Sequence, residues 1–378
     1  MCIYIIDQSR HTLKLIDRSP IFTFGMAVLF PDEIVLRILG RLPTKPLVRF
    51  QCVSKHWNRM IKDPYLMKFR SPKHILVSLD NSLHLIENTS NSILNRYCPT
   101  EDVCDWDNNY EKLVFVIGTI NGIVVLSLNF FGTMILYNPL TSISKKLPPP
   151  PPDDIGHVSY GLGYITTTPD DPKIVILKHD LVFRVYRFKE NSWSSWNTSQ
   201  CTSNTCYFDK VGTFLNGFLH WINYPKYVLT VLDLKDMMLS EIDMPSAFET
   251  RGNTCTVLGT IDGSLCLLKR RVWCNEQFEM WVMKEHGVKY QWAKTFTLFQ
   301  IPRIKDLYRS WQALSIMDSG QILLVDDSDL LILYYVYNKS YKILDMPLGK
   351  DCWRGMINSV EYVKTMVSPS DMLPPSVA

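Results

Sequence analysis

The chain has 378 residues, enough for one large domain and a small one, and its 40 basic against 37 acidic residues give a net charge of +3, which offers no reason to expect a polyanionic partner. Hydrophobic residues make up 46% and aromatic residues 12%, as in a folded globular protein, and no run of 18 apolar residues marks a membrane span. The ten cysteines form no Cys-x-x-Cys pair and meet no spaced histidine pair, so neither zinc nor any other cofactor is expected, and the thiols read as reduced and mostly buried.

Residues 1–25 have a polar middle that does not suit a secretory leader. They are expected to be a poorly ordered extension, with an extra strand as the alternative. Helical patterning is concentrated in residues 29–64, within a predicted helical module spanning 26–70. Pro31 suits a first helical turn, and Asp32 and Glu33 complement the positive end of the helix dipole. Ile34, Ile38, Leu39 and Leu42 recur at helical spacing, and Gly40 and Pro43 are expected to stop the helix. Thr44 is a candidate cap for a second short helix carrying Leu47, Val48 and Phe50. Ser54 is a candidate cap for a third, through Trp57, Met60 and Ile61, ended before Asp63-Pro64. So small a module has more apolar positions than one core needs. Its basic residues, Arg37, Arg41, Lys45, Arg49, Lys55, Arg59 and Lys62, are scattered rather than gathered on one helix, which argues against a helix-turn-helix reader of DNA.

The order Phe-Pro-x-Glu-Ile, Ile-Leu-x-Arg-Leu-Pro, Leu-Val-Arg-Phe-x-Cys-Val-Ser-Lys-x-Trp and Ile-x-Asp-Pro resembles a plant-type F-box. In that family the opening Leu-Pro and the apolar positions after it grip a Skp-type adaptor, which hangs on a cullin. The resemblance assigns adaptor binding to Phe30, Pro31, Ile34, Ile38, Leu39, Leu42, Pro43, Leu47, Val53 and Trp57, with Phe30 departing from the usual Leu.

From about residue 74 the texture changes to short runs of Val, Ile, Leu, Tyr and Phe between Asn, Gly, Asp and Pro turns, and no helix of ten residues or more is expected. Gly118-Thr119-Ile120-Asn121-Gly122, Gly212-Thr213-Phe214-Leu215-Asn216-Gly217 and Gly259-Thr260-Ile261-Asp262-Gly263 begin 94 and then 47 residues apart, each expected to open a strand. Tyr160-Gly161-Leu162-Gly163-Tyr164 falls near the skipped position. A period near 47 with about four strands per unit predicts β-propeller blades, about six of them, over residues 71–367, with the last strands near Ile357–Val363 closing the ring on the first blade. The tail 368–378 is expected to be disordered. The expected fold class is mainly β with a small α module: three helices that resemble an F-box, followed by a β-propeller-like domain. Tyr137-Asn138-Pro139-Leu140-Thr141, Leu215 to Trp221, Leu232 to Pro245 and Met280 to Val288 resemble the F-box-associated domain of plant F-box proteins, a group that includes kelch-type and S-locus receptors.

No H-E-x-x-H, G-x-S-x-G, P-loop or dinucleotide fingerprint occurs, and Asp318-Ser319-Gly320 is a single partial copy of the Asp turn motif of propeller glycosidases. His220, Trp221 and Trp281 are expected in blade cores rather than as contacts, and the proline run Pro148–Pro152 as a stiff linker rather than an SH3-type ligand. The polar stretches Asn197–Thr205 and Arg270–Gln277 are candidate loops for a partner. The resemblance implies the substrate-recognition subunit of a Skp–cullin–F-box ubiquitin ligase. It would be non-catalytic and cytoplasmic or nuclear, with an unknown protein target and no nucleic-acid or membrane partner. The alternative is a propeller scaffold binding a protein or glycan outside any ligase.

Overall fold

The computed structural model of the chain describes residues 4–6, 13–15, 31–42, 44–63, 66, 73–79, 82–86, 93–97, 114–128, 133–151, 158–198, 208–224, 226–248, 256–271, 277–283, 291–298, 311–326, 330–344 and 357–374. It divides into residues 1–42 and residues 43–378.

In the first unit, Tyr4–Ile6 and Leu13–Leu15 pair as an antiparallel hairpin, Tyr4 opposite Leu15 and Ile6 opposite Leu13. Helix α1 (Asp32–Arg41) starts after Pro31, which is its extended N-cap rather than its first helical residue. Asp32 and Glu33 occupy the first turn and Arg41 the last, each on the favourable side of the dipole. Gly40 lies inside the last turn rather than beyond it.

The second unit begins with α2 (Thr44–Phe50) and α3 (Lys55–Lys62). Thr44 is the first helical residue of α2. Ser54 caps α3 as its residue type predicts, its hydroxyl accepting from the Trp57 amide at 3.1 Å.

Among the described residues, twenty-four strands then form six four-stranded antiparallel sheets, with one extra short strand on the third. The innermost strands, in ring order, are Asn358–Tyr362 in blade 1, Val114–Ile120 in blade 2, Val158–Ile165 in blade 3, Thr213–Leu215 in blade 4, Thr256–Ile261 in blade 5 and Trp311–Met317 in blade 6. Each lies against the next, and the sixth against the first, so the ring is closed. Blade 1 is a composite. Its inner strand comes from the C-terminal part of the chain and pairs with His74–Leu79, Asn358 opposite Ser78 and Tyr362 opposite His74. The expected closure by the last strands is what the structure shows.

The continuous apolar runs follow from this stacking. A strand between two neighbouring blades buries both faces, so alternation carries no polar phase. In His74–Leu79, Ile75 and Val77 pack toward blade 6 while Leu76 packs toward blade 2. In Ile123–Leu128, Ile123 and Val125 join the core shared with blade 3, and Val124, Leu126 and Leu128 the core shared with blade 1. Every one of the six blade interfaces carries such an apolar cluster.

The repeated sequence element spans the whole inner strand of blade 4, opening it as expected, and closes the inner strands of blades 2 and 5. Asn121-Gly122, Asn216-Gly217 and Asp262-Gly263 all have positive φ at both residues and form the tight turn into the second strand. The glycine that starts the element has a different task. A Cβ on Gly118 would lie 2.8 Å from the Leu162 side chain of the next blade, and one on Gly259 would lie 2.7 Å from Cβ of Ile316. Gly161 and Gly163 play the same part between blades 3 and 4, leaving space for Trp221 and Phe214.

Residues 368–374, part of the stretch expected to be a disordered tail, are among the described residues. After the blade 1 inner strand, residues 363–374 run across blade 2 and include a 3-10 turn, Pro369–Met372, capped reciprocally by Ser368 and Asp371. Val367, Met372 and Leu373 pack on the apolar cluster between blades 2 and 3, which explains why this part of the tail is held.

Candidate docking face and propeller channel

Helix α1 carries two adjacent apolar stripes. Val35 and Leu39, four residues apart, are buried at 8% and 0% exposure. Ile34 and Ile38, also four apart, stand 40% and 43% exposed on the neighbouring face. Pro31 is exposed and Leu42 half-buried. The turn between α2 and α3 presents Val53 at 52% exposure. Trp57 is half-buried, edge-on to Phe50 with ring centroids 5.6 Å apart.

Of the ten residues the F-box resemblance assigns to adaptor binding, Pro31, Ile34, Ile38 and Val53 are exposed, and Leu42 and Trp57 partly so. Leu39 and Leu47 are completely buried by the chain itself. Neither presents surface to a partner in this structure. Phe30 and Pro43 lie outside the described residues. Val35, not singled out from the sequence, is the inward partner of Leu39. Its i, i+4 spacing to Leu39 was the available signal.

At the centre of the propeller, the six inner strands enclose a channel of about 660 Å³. Backbone bonds join blade 3 to blade 4, the Tyr160 amide donating to the Lys210 carbonyl and the Gly212 amide to the Tyr160 carbonyl, each at 2.7 Å, and polar side chains tie neighbouring blades as well. Thr119 Oγ1 donates to the Glu361 carbonyl at 2.9 Å, joining blades 2 and 1. Asn358 Nδ2 donates back to the Val116 carbonyl at 2.7 Å. Thr213 Oγ1 reaches the Leu258 carbonyl at 3.3 Å, joining blades 4 and 5, and the hydroxyls of Ser315 and Ser359 meet between blades 6 and 1. The threonine of the repeated Gly-Thr thus bonds across the ring in blades 2 and 4, beside a glycine that leaves room for Leu162 of the next blade in blade 2 and for Trp221 of the same blade in blade 4.

The carboxylates of the channel are also engaged. Glu361 accepts the Ser319 amide at 2.8 Å through Oε1 and pairs with the Lys73 ammonium at 2.7 Å through Oε2. Asp318 Oδ1 accepts the Gly263 amide at 2.8 Å and fixes the turn of the neighbouring blade. Asp209 accepts from the Tyr224 hydroxyl. Desolvation pushes the Asp209 carboxyl up to about 7, while the bonds from Tyr224 and the Ile222 backbone pull the other way. These groups hold strands and turns together. Among the described residues no set of three or more His, Cys, Asp or Glu is placed to hold a metal ion.

His220 and Trp221 are in blade cores, at 1% and 0% exposure, and the Trp221 indole donates to the Tyr160 carbonyl at 3.0 Å. Trp281 is half-buried and packs edge-on to Phe248, with centroids 6.3 Å apart. The proline run is docked within the molecule: the Trp193 indole donates to the Pro148 carbonyl at 3.0 Å, the contact an external polyproline reader would otherwise make. The candidate loops around 199–207 and 272–276 lie outside the described residues.

A short helical module with an exposed apolar stripe, followed by a closed six-bladed propeller whose polar residues serve the ring, defines a binding protein built from a docking module and a propeller. Comparison with known families matches residues 29–69 to the F-box domain and residues 100–369 to the F-box associated beta propeller domain. The chain belongs to the F-box proteins with an associated β-propeller. An F-box/kelch-repeat protein of Arabidopsis thaliana is 28% identical over 373 residues, covering 90% of this chain and 96% of its own. The F-box protein CPR1 of the same plant is 26% identical over 368 residues, covering 85% of each chain. An F-box/LRR-repeat/kelch-repeat protein, also from Arabidopsis thaliana, is 22% identical over 340 residues, covering 86% of this chain and 93% of its own.

Proposed function

We propose that this chain is the substrate-recognition subunit of a Skp–cullin–F-box ubiquitin ligase, working in the cytoplasm or nucleus. The F-box docks a Skp-type adaptor and the propeller holds a protein target for ubiquitination. The observation that carries this reading is the exposed Ile34–Ile38 stripe, left over after Val35 and Leu39 have satisfied the helix's inward side. The chain itself performs no chemistry in this reading. It raises the effective concentration of a target lysine near a ubiquitin carrier bound elsewhere in the assembly.

Co-expression with a Skp-type adaptor tests it. The chain is expected to co-purify with the adaptor, and Ile38→Asp to weaken the pair by more than about 30-fold, the effect of losing an interface anchor worth roughly 2 kcal/mol. The thermal transition of the propeller should not move. A chain that never co-purifies, or an Ile38→Asp variant that binds as well as the parent, would leave the propeller-scaffold alternative in place.

A further inference from the structure

We propose that residues 363–373 form a clasp that holds helix α3 of the F-box to blade 2, and so fixes the pose in which the propeller presents a bound target. The functional consequence rests on the ligase reading; the clasp itself does not.

The ring is complete at Tyr362, so nothing in propeller closure requires the residues that follow. They nevertheless run outward along blade 2 and are fastened at each step. The Asn121-Gly122 turn lies beneath them, so close that a Cβ on Gly122 would stand 2.3 Å from the Val363 carbonyl. Asn138, fully buried, donates through Nδ2 to the carbonyls of Thr365 and Val367 at 3.1 and 2.8 Å. Met372 and Leu373 then anchor the capped turn on the apolar cluster between blades 2 and 3.

Asp371 sits on that turn with one oxygen shared between two donors. Its Oδ2 accepts the Ser368 amide at 3.1 Å and pairs with the Lys62 ammonium at 2.7 Å, 309 residues away in sequence and in the last turn of α3. Between helix and blade lies a cavity of about 400 Å³ lined by Gln51 and Lys62 on one side and Leu140, Thr141 and Ile143 on the other. Across that space the clasp supplies a direct bond. A part-exposed ion pair is ordinarily weak because two flexible side chains must be ordered together. Here the carboxylate is already fixed by its cap, so only Lys62 loses freedom. The same α2–α3 segment carries Val53 and Trp57 of the docking face, so what steadies α3 steadies the part of the face next to it.

The test is hydrogen exchange on the full chain. Asp371→Asn keeps an acceptor for the Ser368 amide and removes the charge. Lys62→Glu replaces attraction with repulsion, and Lys62→Glu combined with Asp371→Lys restores opposite charges. Exchange of the α3 amides is expected to rise about two- to five-fold in each single variant, the range of a part-exposed pair, with the blade 2 strands unchanged, and to fall back toward the parent in the double variant. Unchanged α3 exchange in both single variants, or a double variant no closer to the parent than Lys62→Glu, overturns the clasp. In the assembled ligase, Asp371→Asn should spread ubiquitin over more lysines of the chain's own propeller at unaltered adaptor binding; an unaltered lysine pattern overturns its role in fixing the pose. The exchange measurement needs no adaptor, so its failure is separate from failure of the ligase reading.

Discussion

Asn138 offers the sharpest test of how the C-terminal segment is held. Its side chain is 0% exposed and fully used. Nδ2 donates to the carbonyls of Thr365 and Val367, while Oδ1 accepts the Leu140 amide at 2.9 Å and the Thr141 amide at 3.4 Å, shaping the turn after the third strand of blade 2. Asn138→Ala strands two carbonyls and weakens the turn. Each buried group left unpaired costs about 1–3 kcal/mol, and the part-exposed turn amides can recruit water, so the expected loss is about 2–4 kcal/mol. Asn138→Asp is nearly isosteric and keeps the turn acceptor. It removes both donors and aims a carboxylate oxygen at two carbonyl oxygens without solvent, so its cost at pH 7 should exceed that of alanine, on the order of 3–5 kcal/mol. Urea unfolding followed by tryptophan emission measures both, with unchanged m-values required for the comparison. If Asn138→Asp proves more stable than Asn138→Ala, or lies within about 0.5 kcal/mol of the parent, the amide is not acting as a paired donor and the account of the strap fails.

Gly259→Ala places a Cβ 2.7 Å from Cβ and 2.9 Å from the carbonyl oxygen of Ile316 on the inner strand of blade 6, so it should cost about 1–3 kcal/mol in thermal unfolding. Gly263→Ala meets nothing within 4 Å and suffers only its φ of +69°, for about 1 kcal/mol; the reverse ranking would refute close approach as the reason for the first glycine of the repeat. Asp209 titrates near 7 in the folded chain against 3.8 for the unfolded group, so the folded state holds a proton the unfolded state releases. The resulting stabilisation is present below pH 4 and is lost as pH rises through 7, by up to about 4 kcal/mol, and Asp209→Asn should flatten that part of the stability profile. A profile identical to the parent's would show that the carboxyl is solvated.

Most of the propeller was legible because its repeat is written twice over, in turn chemistry and in close approach. Asn-Gly and Asp-Gly fix the tight hairpin through φ, and the glycine that starts the element leaves room for a close neighbour, the next blade's inner strand at Gly118 and Gly259 and the Trp221 indole at Gly212. Both constraints recur with the blade, so a period emerges without any contact being known. The clasp shows no such period. Asn138 is one amide in a motif whose turn role is local and readable, while its second role depends on residues more than 220 positions away. Lys62 and Asp371 are farther apart still, and a tail rich in Ser and Pro has the composition of a disordered end until Met372 and Leu373 find a cluster to rest on.

The docking helix shows what periodicity alone leaves open. Ile34, Val35, Ile38 and Leu39 form two i, i+4 pairs side by side, about 100° apart around the axis. Periodicity detects the combined apolar arc but cannot say which half faces inward, because both halves satisfy the same spacing. Counting area decides what periodicity leaves open. In a ten-residue helix the pair that the chain buries is Val35 with Leu39. The second pair is then surplus to folding, and leaving two isoleucines in water costs on the order of 1–2 kcal/mol of forgone burial. That cost is recovered only if a second protein covers Ile34 and Ile38, so the width of the apolar arc, more than the identity of any residue in it, is the part of the sequence that speaks for a partner.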